Sequence, residues 1–364
     1  MNDTQHMRAI VQNEYGSTEK LSLGETERPV PADGEVLVRV AAAGVDPGVW
    51  HLMTGLPYLV RLAGYGLRRP KTPVPGSDIA GRIEAVGRSV DALLPGDEVF
   101  GVASGAFAEY ALSTPDRLAA KPANVSFEEA AVVPTSGLAA LQGLRDAGGL
   151  RPGQRVLIVG ATGGVGTFAV QLAKALGAEV TGVGSTGKLE MLRSIGADHV
   201  VDYTREDFAA SGERYDLILD IAGNRSLAHL RRALSPRGTL VIVGGEAGGR
   251  WIGGTDRQLR TLLASPFTAQ TLRPLFSAPR KADLEFLRQA LESGSLRPWI
   301  DRTYPLEAAA DAVRHIAEGH SRGKTALSLD PSPSEHPGTL GREEADREPV
   351  ASLVGSAPRK GGLE

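Results

Sequence analysis

Cysteine is absent from the whole sequence, which removes disulfides, thiolate nucleophiles and sulfur-ligated metal together. No stretch approaches the ~18 uninterrupted apolar residues of a membrane span. The opening MNDTQHMRAIV lacks the apolar core of a signal peptide, so the expectation is a cytoplasmic protein. Charge is nearly balanced, with a net −3 and a pI near 6.2, leaving no bulk electrostatic reason for nucleic-acid binding. A small-molecule partner is expected instead, with no nucleic acid and no membrane. No nucleophile-elbow sequence, Ser-His-Asp order or HExxH spacing occurs, which argues against the common hydrolases. Internal repeats are also missing.

What the chain does have is centred on Arg155 to Gly177, RVLIVGATGGVGTFAVQLAKALG. Val156 to Val159 form a continuous apolar run, the pattern of a parallel strand covered on both faces. Beyond the turn, Val165, Phe168, Ala169, Leu172 and Leu176 recur at spacings of three and four. They mark one buried helical face, with Gly177 as its stop. The turn Gly160-Ala161-Thr162-Gly163-Gly164-Val165-Gly166 fits a dinucleotide fingerprint with alanine in the first glycine slot. Gly163 would let the backbone approach a pyrophosphate, and Gly166 would let helix pack close to strand. The helix N-terminus then faces the phosphates.

The end of the next strand, Glu179 to Val183, decides which nucleotide is expected. An NAD enzyme usually places an acidic residue about 20 positions past the glycines. Here the strand opens into Gly184-Ser185-Thr186-Gly187-Lys188. Ser185 and Thr186 offer hydroxyls and Lys188 an ammonium, partners for a 2′-phosphate that a carboxylate would repel. The expected cofactor is therefore NADPH (NADP). Taken alone, Lys188 reads equally well as a solvated lysine near the first turn of a helix ending at Ile195.

The composition, 41% hydrophobic and 23% charged over 364 residues, suits two globular domains. Up to about residue 125, short β runs such as Val36–Val40 and Ile79–Val86 alternate with Pro and Gly, giving a β-rich, barrel-like unit. Between those runs, residues 50–75 carry many large apolar side chains and end in Leu67-Arg68-Arg69-Pro70-Lys71. So long a connection is either a lid or an ordinary packed helix and loop. After Phe127 the spacing turns helical. From the glycine loop onward, strand and helix alternate through 199–201, 217–219 and 240–243, as in a doubly wound parallel sheet. Residues 251–299 look mainly helical, a helix is expected over Leu306–Glu318, and 330–364 read as a disordered tail.

Several motifs together resemble the medium-chain dehydrogenase/reductase superfamily, in its zinc-free quinone oxidoreductase branch. They are Val74-Pro75-Gly76-Ser77-Asp78-Ile79-Ala80-Gly81, Pro95-Gly96-Asp97-Glu98-Val99, Gly105-Ala106-Phe107-Ala108-Glu109-Tyr110, the glycine loop, Gly196-Ala197-Asp198-His199-Val200-Val201-Asp202-Tyr203, and Gly323-Lys324. The resemblance implies an α/β fold with a GroES-like β-rich catalytic domain (7–128 and 296–329) and a Rossmann doubly wound parallel-sheet cofactor domain (129–295). Zinc-dependent members carry a His-Glu pair where this chain has Ser77-Asp78, and a cysteine ligand near Val45-Asp46, so no metal is expected. By the same resemblance, Lys188 with Tyr203 holds the 2′-phosphate. Ile221, Gly223, Gly244 and Gly245 would line the ribose and nicotinamide, and Thr135, Ala161, Thr162, Gly164, Val165 and Lys324 join the cofactor set.

This sequence departs from such relatives at Asp46, usually Asn, and at Ala139, often Thr; Thr135 or Ser136 could supply the missing hydroxyl. The implied reaction is hydride transfer to a quinone or an α,β-unsaturated carbonyl. Asp46, Tyr58 and Ser77 are the candidate catalytic residues, with His51 and Tyr65 as further proton-donor candidates. Two alternatives stay open: a zinc-free alcohol or aldehyde oxidoreductase, and a weakly catalytic NADPH-binding regulatory protein. A homodimer is the family expectation.

Overall fold

The structure is a computed structural model and describes residues 5–244, 253, 257–258, 260–261, 268–319 and 321–329. The β-rich unit opens with an antiparallel ribbon, β1 (His6–Val11) on β2 (Ser22–Glu27). Next come β3 (Val36–Val45), β4 (Asp78–Val86), β5 (Glu98–Val102), β6 (Tyr110–Ser113) and β7 (Leu118–Ala120). The second half of the chain supplies β8 (Arg155–Val159), β9 (Glu179–Gly184), β10 (His199–Asp202), β11 (Tyr215–Asp220), β12 (Leu234–Ile242), β13 (Thr271–Pro274), β14 (Ile300–Pro305) and β15 (Lys324–Ser328).

Two large sheets result. One has the order β14-β15-β3-β4-β5-β7 with β6 also on β3; the other runs β10-β9-β8-β11-β12-β13, and every pairing in it is parallel. The last two strands thus return to the first unit, where β15 pairs antiparallel with β3 from Thr325↔Val45 to Ser328↔Ala42. Strand β3 is buried at nine of its ten positions in the pattern BBBeBBBBBB because helix Phe127–Ala131 packs over it. The approach is close enough that a Cβ on Gly44 would lie 2.6 Å from the Ala131 carbonyl oxygen.

The helix after the glycine loop, Gly164–Ala175, buries Phe168, Ala169 and Leu172 of the expected face, but Val165 only partly, and burial is continuous from Gly166 to Ala173 rather than confined to one stripe. Removing the Phe168 side chain from water contributes about 1.5–3 kcal/mol. Gly177 follows with φ +81, a left-handed stop that suits glycine. One apolar cluster runs through both units, joining Ala42, Ala80 and Phe100 to Val156, Leu219, Leu284 and Leu287.

The stretch expected to be mainly helical contains an edge strand, β13, paired in parallel with β12, beside the helix Lys281–Glu292. Four residues with one deeply buried side chain, Leu272, are too few to show a period-2 pattern. The helix expected from Leu306 begins as a 3-10 turn, Leu306–Ala308, and becomes α-helical over Ala309–Ala317. The expected tail, 330–364, lies outside the described residues.

Candidate active site and cofactor cleft

Strand β8 delivers the chain to Gly160, which turns with φ +87; a Cβ there would sit 2.9 Å from the Ala222 nitrogen. Gly166 is needed for packing, because its Cβ would fall 2.2 Å from the Gly160 carbonyl oxygen and 2.6 Å from Ala161 Cα. The helix therefore sits directly against the turn. Gly163 occupies the N-cap in extended conformation, and the nearest atom to a Cβ built on it is Gly160 O at 3.6 Å. Beyond it the first-turn N–H groups have no intrahelical acceptor and carry the positive end of the helix dipole. That is a cradle suited to phosphate. Ala161 is fully buried; Thr162, Gly164 and Val165 are partly exposed along the loop.

At the end of β9, Ser185 and Lys188 are half-buried and Thr186 is exposed. The Thr186 hydroxyl donates to Asp202, whose other carboxylate oxygen accepts from Thr204 Oγ1 at 2.6 Å and Thr204 N at 3.0 Å. These bonds, that from Thr186 foremost, hold Asp202 below the usual carboxylate range. Of the two hydroxyls expected to face a phosphate, one is thus engaged by a carboxylate that the linear sequence does not place beside it. It arrives because β10 pairs with β9, Asp202 opposite Gly184. Tyr203 follows, about half exposed, its backbone N–H donating to Gly184 O at 3.1 Å. Lys188 Nζ donates to the Ser321 carbonyl oxygen at 2.9 Å, and burial, then Arg322, lowers its pKa while Asp301 opposes.

The carboxyl ends of β8, β11 and β12 form the next part of the cleft. Ile221 N donates to Val159 O at 2.9 Å. Gly223, with φ +67, donates its N–H to Asp220 Oδ1 at 3.2 Å. A Cβ on Gly244 would come within 2.1 Å of the Ile221 carbonyl oxygen; Gly245 lies outside the described residues. Asp220 is fully buried and paired with Arg257 at 2.6 Å. Burial raises its pKa and Arg257 pulls against that. The pair braces the Gly223 turn, and Arg257 reaches it only through the fold.

Three residues from distant parts of the chain, Asp46, Ser136 and Lys324, meet in one buried network. Asp46 precedes helix Pro47–Thr54 but makes no side-chain cap to it. Its Oδ1 is ion-paired with Lys324 Nζ and accepts from Ser136 Oγ at 3.0 Å, while Lys324 Nζ donates to Ser136 Oγ at 3.0 Å. Asp46 is 7% exposed, Ser136 1% and Lys324 2%, so the network is nearly dry. Asp46 Oδ2 is buried without a hydrogen-bond partner among the described residues. Thr135 instead serves Asp78, through its N–H at 2.9 Å and its hydroxyl at 2.5 Å; Ser77 Oγ lies 3.4 Å from the same carboxylate.

The two carboxyls are driven apart. Burial pushes Asp46 up, but the Lys324 charge and hydrogen bond outweigh it and its pKa is lowered. Asp78, deeply buried beside the Asp46 charge, is held well above its ordinary value. The pair therefore divides into an ionised Asp46 and a proton-retaining Asp78. The stem of Lys324 passes beneath the glycine loop, since a Cβ on Gly164 would lie 2.8 Å from Lys324 Cδ. Lys324 thus underlies the glycine loop, with its ammonium turned to Asp46.

Of the other proton-donor candidates, His51 Nδ1 is bonded to Leu56 O at 3.1 Å. The Tyr58 ring lies under Arg61 at 4.9 Å, and Tyr65 is half exposed. Among the described residues neither His51 nor Tyr65 makes a hydrogen bond to Asp46, Ser136 or Lys324. The segment that carries them leaves Leu59, Leu62, Tyr65 and Leu67 facing solvent.

A zinc ion does not fit the residues present. Asp46, Ser77 and Asp78 give at most hard oxygen donors, and the Lys324 ammonium already occupies Asp46. Among the described residues no group of three or more His, Cys, Asp or Glu side chains is arranged around a common point. A surface depression of about 640 Å³ lined by Arg151, Asp216 and Arg237 lies at the opposite, amino-terminal edge of the parallel strands. Ligands of open α/β sheets bind at the carboxyl ends, so the cleft described above is the candidate site.

Comparison with known proteins agrees on this architecture. Residues 32–143 match the family described as the alcohol dehydrogenase GroES-like domain, and 195–327 the family described as zinc-binding dehydrogenase. A chloroplast envelope quinone oxidoreductase homolog of Arabidopsis thaliana is 31% identical, over 87% of this chain and 97% of the relative. The 2-methylene-furan-3-one reductase of Solanum lycopersicum is also 31% identical, over 88% of this chain and 79% of the relative. The solved quinone oxidoreductase from Coxiella burnetii superposes with a TM-score of 0.78 at 27% identity, covering 90% of this chain and all of that one.

Proposed function

Since this chain belongs to the medium-chain dehydrogenase/reductase superfamily as a quinone-oxidoreductase-like oxidoreductase, we propose that it is an NADPH-dependent, zinc-independent reductase of quinones or α,β-unsaturated carbonyl compounds. The observation that carries this reading is the buried Lys324 ammonium, fixed on Asp46 and Ser136 beneath the glycine loop. It puts a fixed positive charge where a metal-dependent relative would need ligands.

When bound, the nicotinamide cofactor supplies the hydride. Gly163, Gly164, Val165 and Gly166 would hold its pyrophosphate on the helix N-terminus, with Ala161 and Thr162 shaping the turn. Ser185, Lys188 and Tyr203 would take the 2′-phosphate. Ile221, Gly223, Gly244 and Gly245 would line the ribose and nicotinamide, with Thr135 and Lys324 behind them. Ser77, Tyr58 and Asp46 belong to the substrate side. The dry network keeps one negative charge neutralised by Lys324 and a proton on Asp78, so that orientation and exclusion of water do most of the work. A conjugated acceptor is already activated, and solvent can furnish its proton.

Two observations favour second readings. Asp202, bonded to Thr186, is a carboxylate of the kind that holds an unphosphorylated ribose, which favours NADH. The family described as alcohol dehydrogenase favours alcohols and aldehydes. Both are separated by assaying quinones, enones, aldehydes and alcohols with each cofactor, with and without a chelator. The proposal expects turnover of enones or quinones with NADPH, undiminished by chelation. Activity confined to alcohols overturns it, and turnover of no acceptor at all leaves the weakly catalytic, regulatory reading. For the cofactor, Lys188→Ala is expected to weaken NADPH by about 1–3 kcal/mol, the loss of one charge-assisted bond, with NADH little changed in titration calorimetry. The assembly proposed is a homodimer and the location cytoplasmic; among the described residues no helix is long and apolar enough to cross a membrane.

A further inference from the structure

We propose that Arg322 is a second specificity-determining cation for the cofactor's 2′-phosphate, presented from the β-rich unit across the cleft to Lys188. This inference rests on the NADPH reading above. Lys188 stands at the end of β9 in the parallel sheet, yet its Nζ donates to Ser321 O at 2.9 Å, in the segment that leads into β15 of the other sheet. The residue after that carbonyl is Arg322, exposed and, among the described residues, without an ion pair.

The backbone around Arg322 is held at both ends. Gly323 N donates to Thr162 O at 3.0 Å and Lys324 N to Trp299 O at 2.8 Å, and Gly323 forms a bridge with Gly163 of the glycine loop. Gly323 has φ +88, and a Cβ on it would lie 2.3 Å from Trp299 O, so this close seat requires glycine. Arg322 is therefore an exposed side chain on a fixed stem next to the glycine loop.

Charge identifies what it would take. Burial first and Arg322 second lower the pKa of Lys188, and Asp301 is the acid that opposes them, but Asp301 Oδ2 is bonded to His315 Nε2 at 2.7 Å. Two cations are thus brought together, among the described residues without a carboxylate bonded between them. A phosphate dianion relieves that repulsion and offers the oxygens for a planar guanidinium fork as well as for an ammonium. An unphosphorylated ribose does neither.

Titration calorimetry on the full chain tests this with NADPH, NADH, 2′,5′-ADP and 5′-ADP as ligands. Arg322→Ala is expected to weaken NADPH and 2′,5′-ADP about tenfold and to leave NADH and 5′-ADP within about twofold. Arg322→Lys should recover part of the loss. If Lys188→Ala discriminates between the two cofactors while Arg322→Ala changes neither, or weakens both equally, the role of Arg322 is overturned and the NADPH reading stands. If Lys188→Ala also weakens both cofactors equally, the NADPH reading falls and this inference falls with it.

Discussion

Asp46 stands where the resemblance leads to an expected asparagine, and its surroundings give that difference a physical basis. An asparagine there would accept a hydrogen bond from Lys324 but could not neutralise it. Breaking a buried ion pair on one side leaves an uncompensated charge, at a cost of about 3–5 kcal/mol. Asp46→Asn should therefore destabilise the protein by that order in urea unfolding, and Asp46→Asn with Lys324→Met should recover much of the loss. If the single variant is as stable as the parent, the pair does not hold the site together.

Asp78 leads to a second prediction with its own sign. Its folded pKa is raised, so the folded state keeps a proton that the unfolded chain gives up near its ordinary value of about 3.9. Stability from this group is thus greatest at low pH and declines as pH rises toward the folded pKa. Asp46 runs the other way: its folded pKa is lowered, so its contribution is present above the unfolded value and lost as pH falls through the folded one. Asp78→Asn mimics the protonated carboxyl. It should raise Tm at pH 8, with the gain shrinking toward pH 4; a gain independent of pH would refute the assignment of the proton.

At the scale of elements, the turn between β8 and its helix works through contact distances. Gly166→Ala places a methyl 2.2 Å from the Gly160 carbonyl oxygen, and neither backbone can yield without moving the helix N-terminus. Overpacking of this kind costs typically about 1–3 kcal/mol, and the displaced N–H groups should weaken both NADPH and NADH in calorimetric titration. Gly187→Ala is the control, since nothing lies within 4 Å of its Cβ position. Equal behaviour of the two variants would show that the Gly166 contact does not set the position of the helix N-terminus. The segment 321–324 is a second such element: within four residues it accepts from Lys188, meets the glycine loop and delivers Lys324 to Asp46.

For the whole molecule, the decisive feature is that one apolar cluster contains residues of both sheets. Ala42, Ala80 and Phe100 share it with Val156, Leu219 and Leu284, so neither unit can expose its part without stripping the other. Calorimetry should accordingly show one thermal transition whose calorimetric and van't Hoff enthalpies agree; two resolved transitions would show that the units unfold independently. NADPH at 100 times its Kd should stabilise this single transition by about 2.7 kcal/mol.

The local signals were strong enough for the sequence alone to determine the α/β class and the position of the glycine loop. The apolar run Val156–Val159, the turn glycines and the period of Phe168, Ala169 and Leu172 all concern residues a few positions apart. The absence of cysteine likewise settled the question of sulfur ligands before any fold was considered. Only the tertiary structure decided that Asp202 comes beside Thr186, that Arg257 braces Asp220, and that Lys324 ends on Asp46 and Ser136, 278 and 188 positions away along the chain. Those meetings depend on strand order, on β10 lying against β9 and β15 against β3. Sequence periodicity shows which face of a strand is buried but carries no information about which strand will be its neighbour.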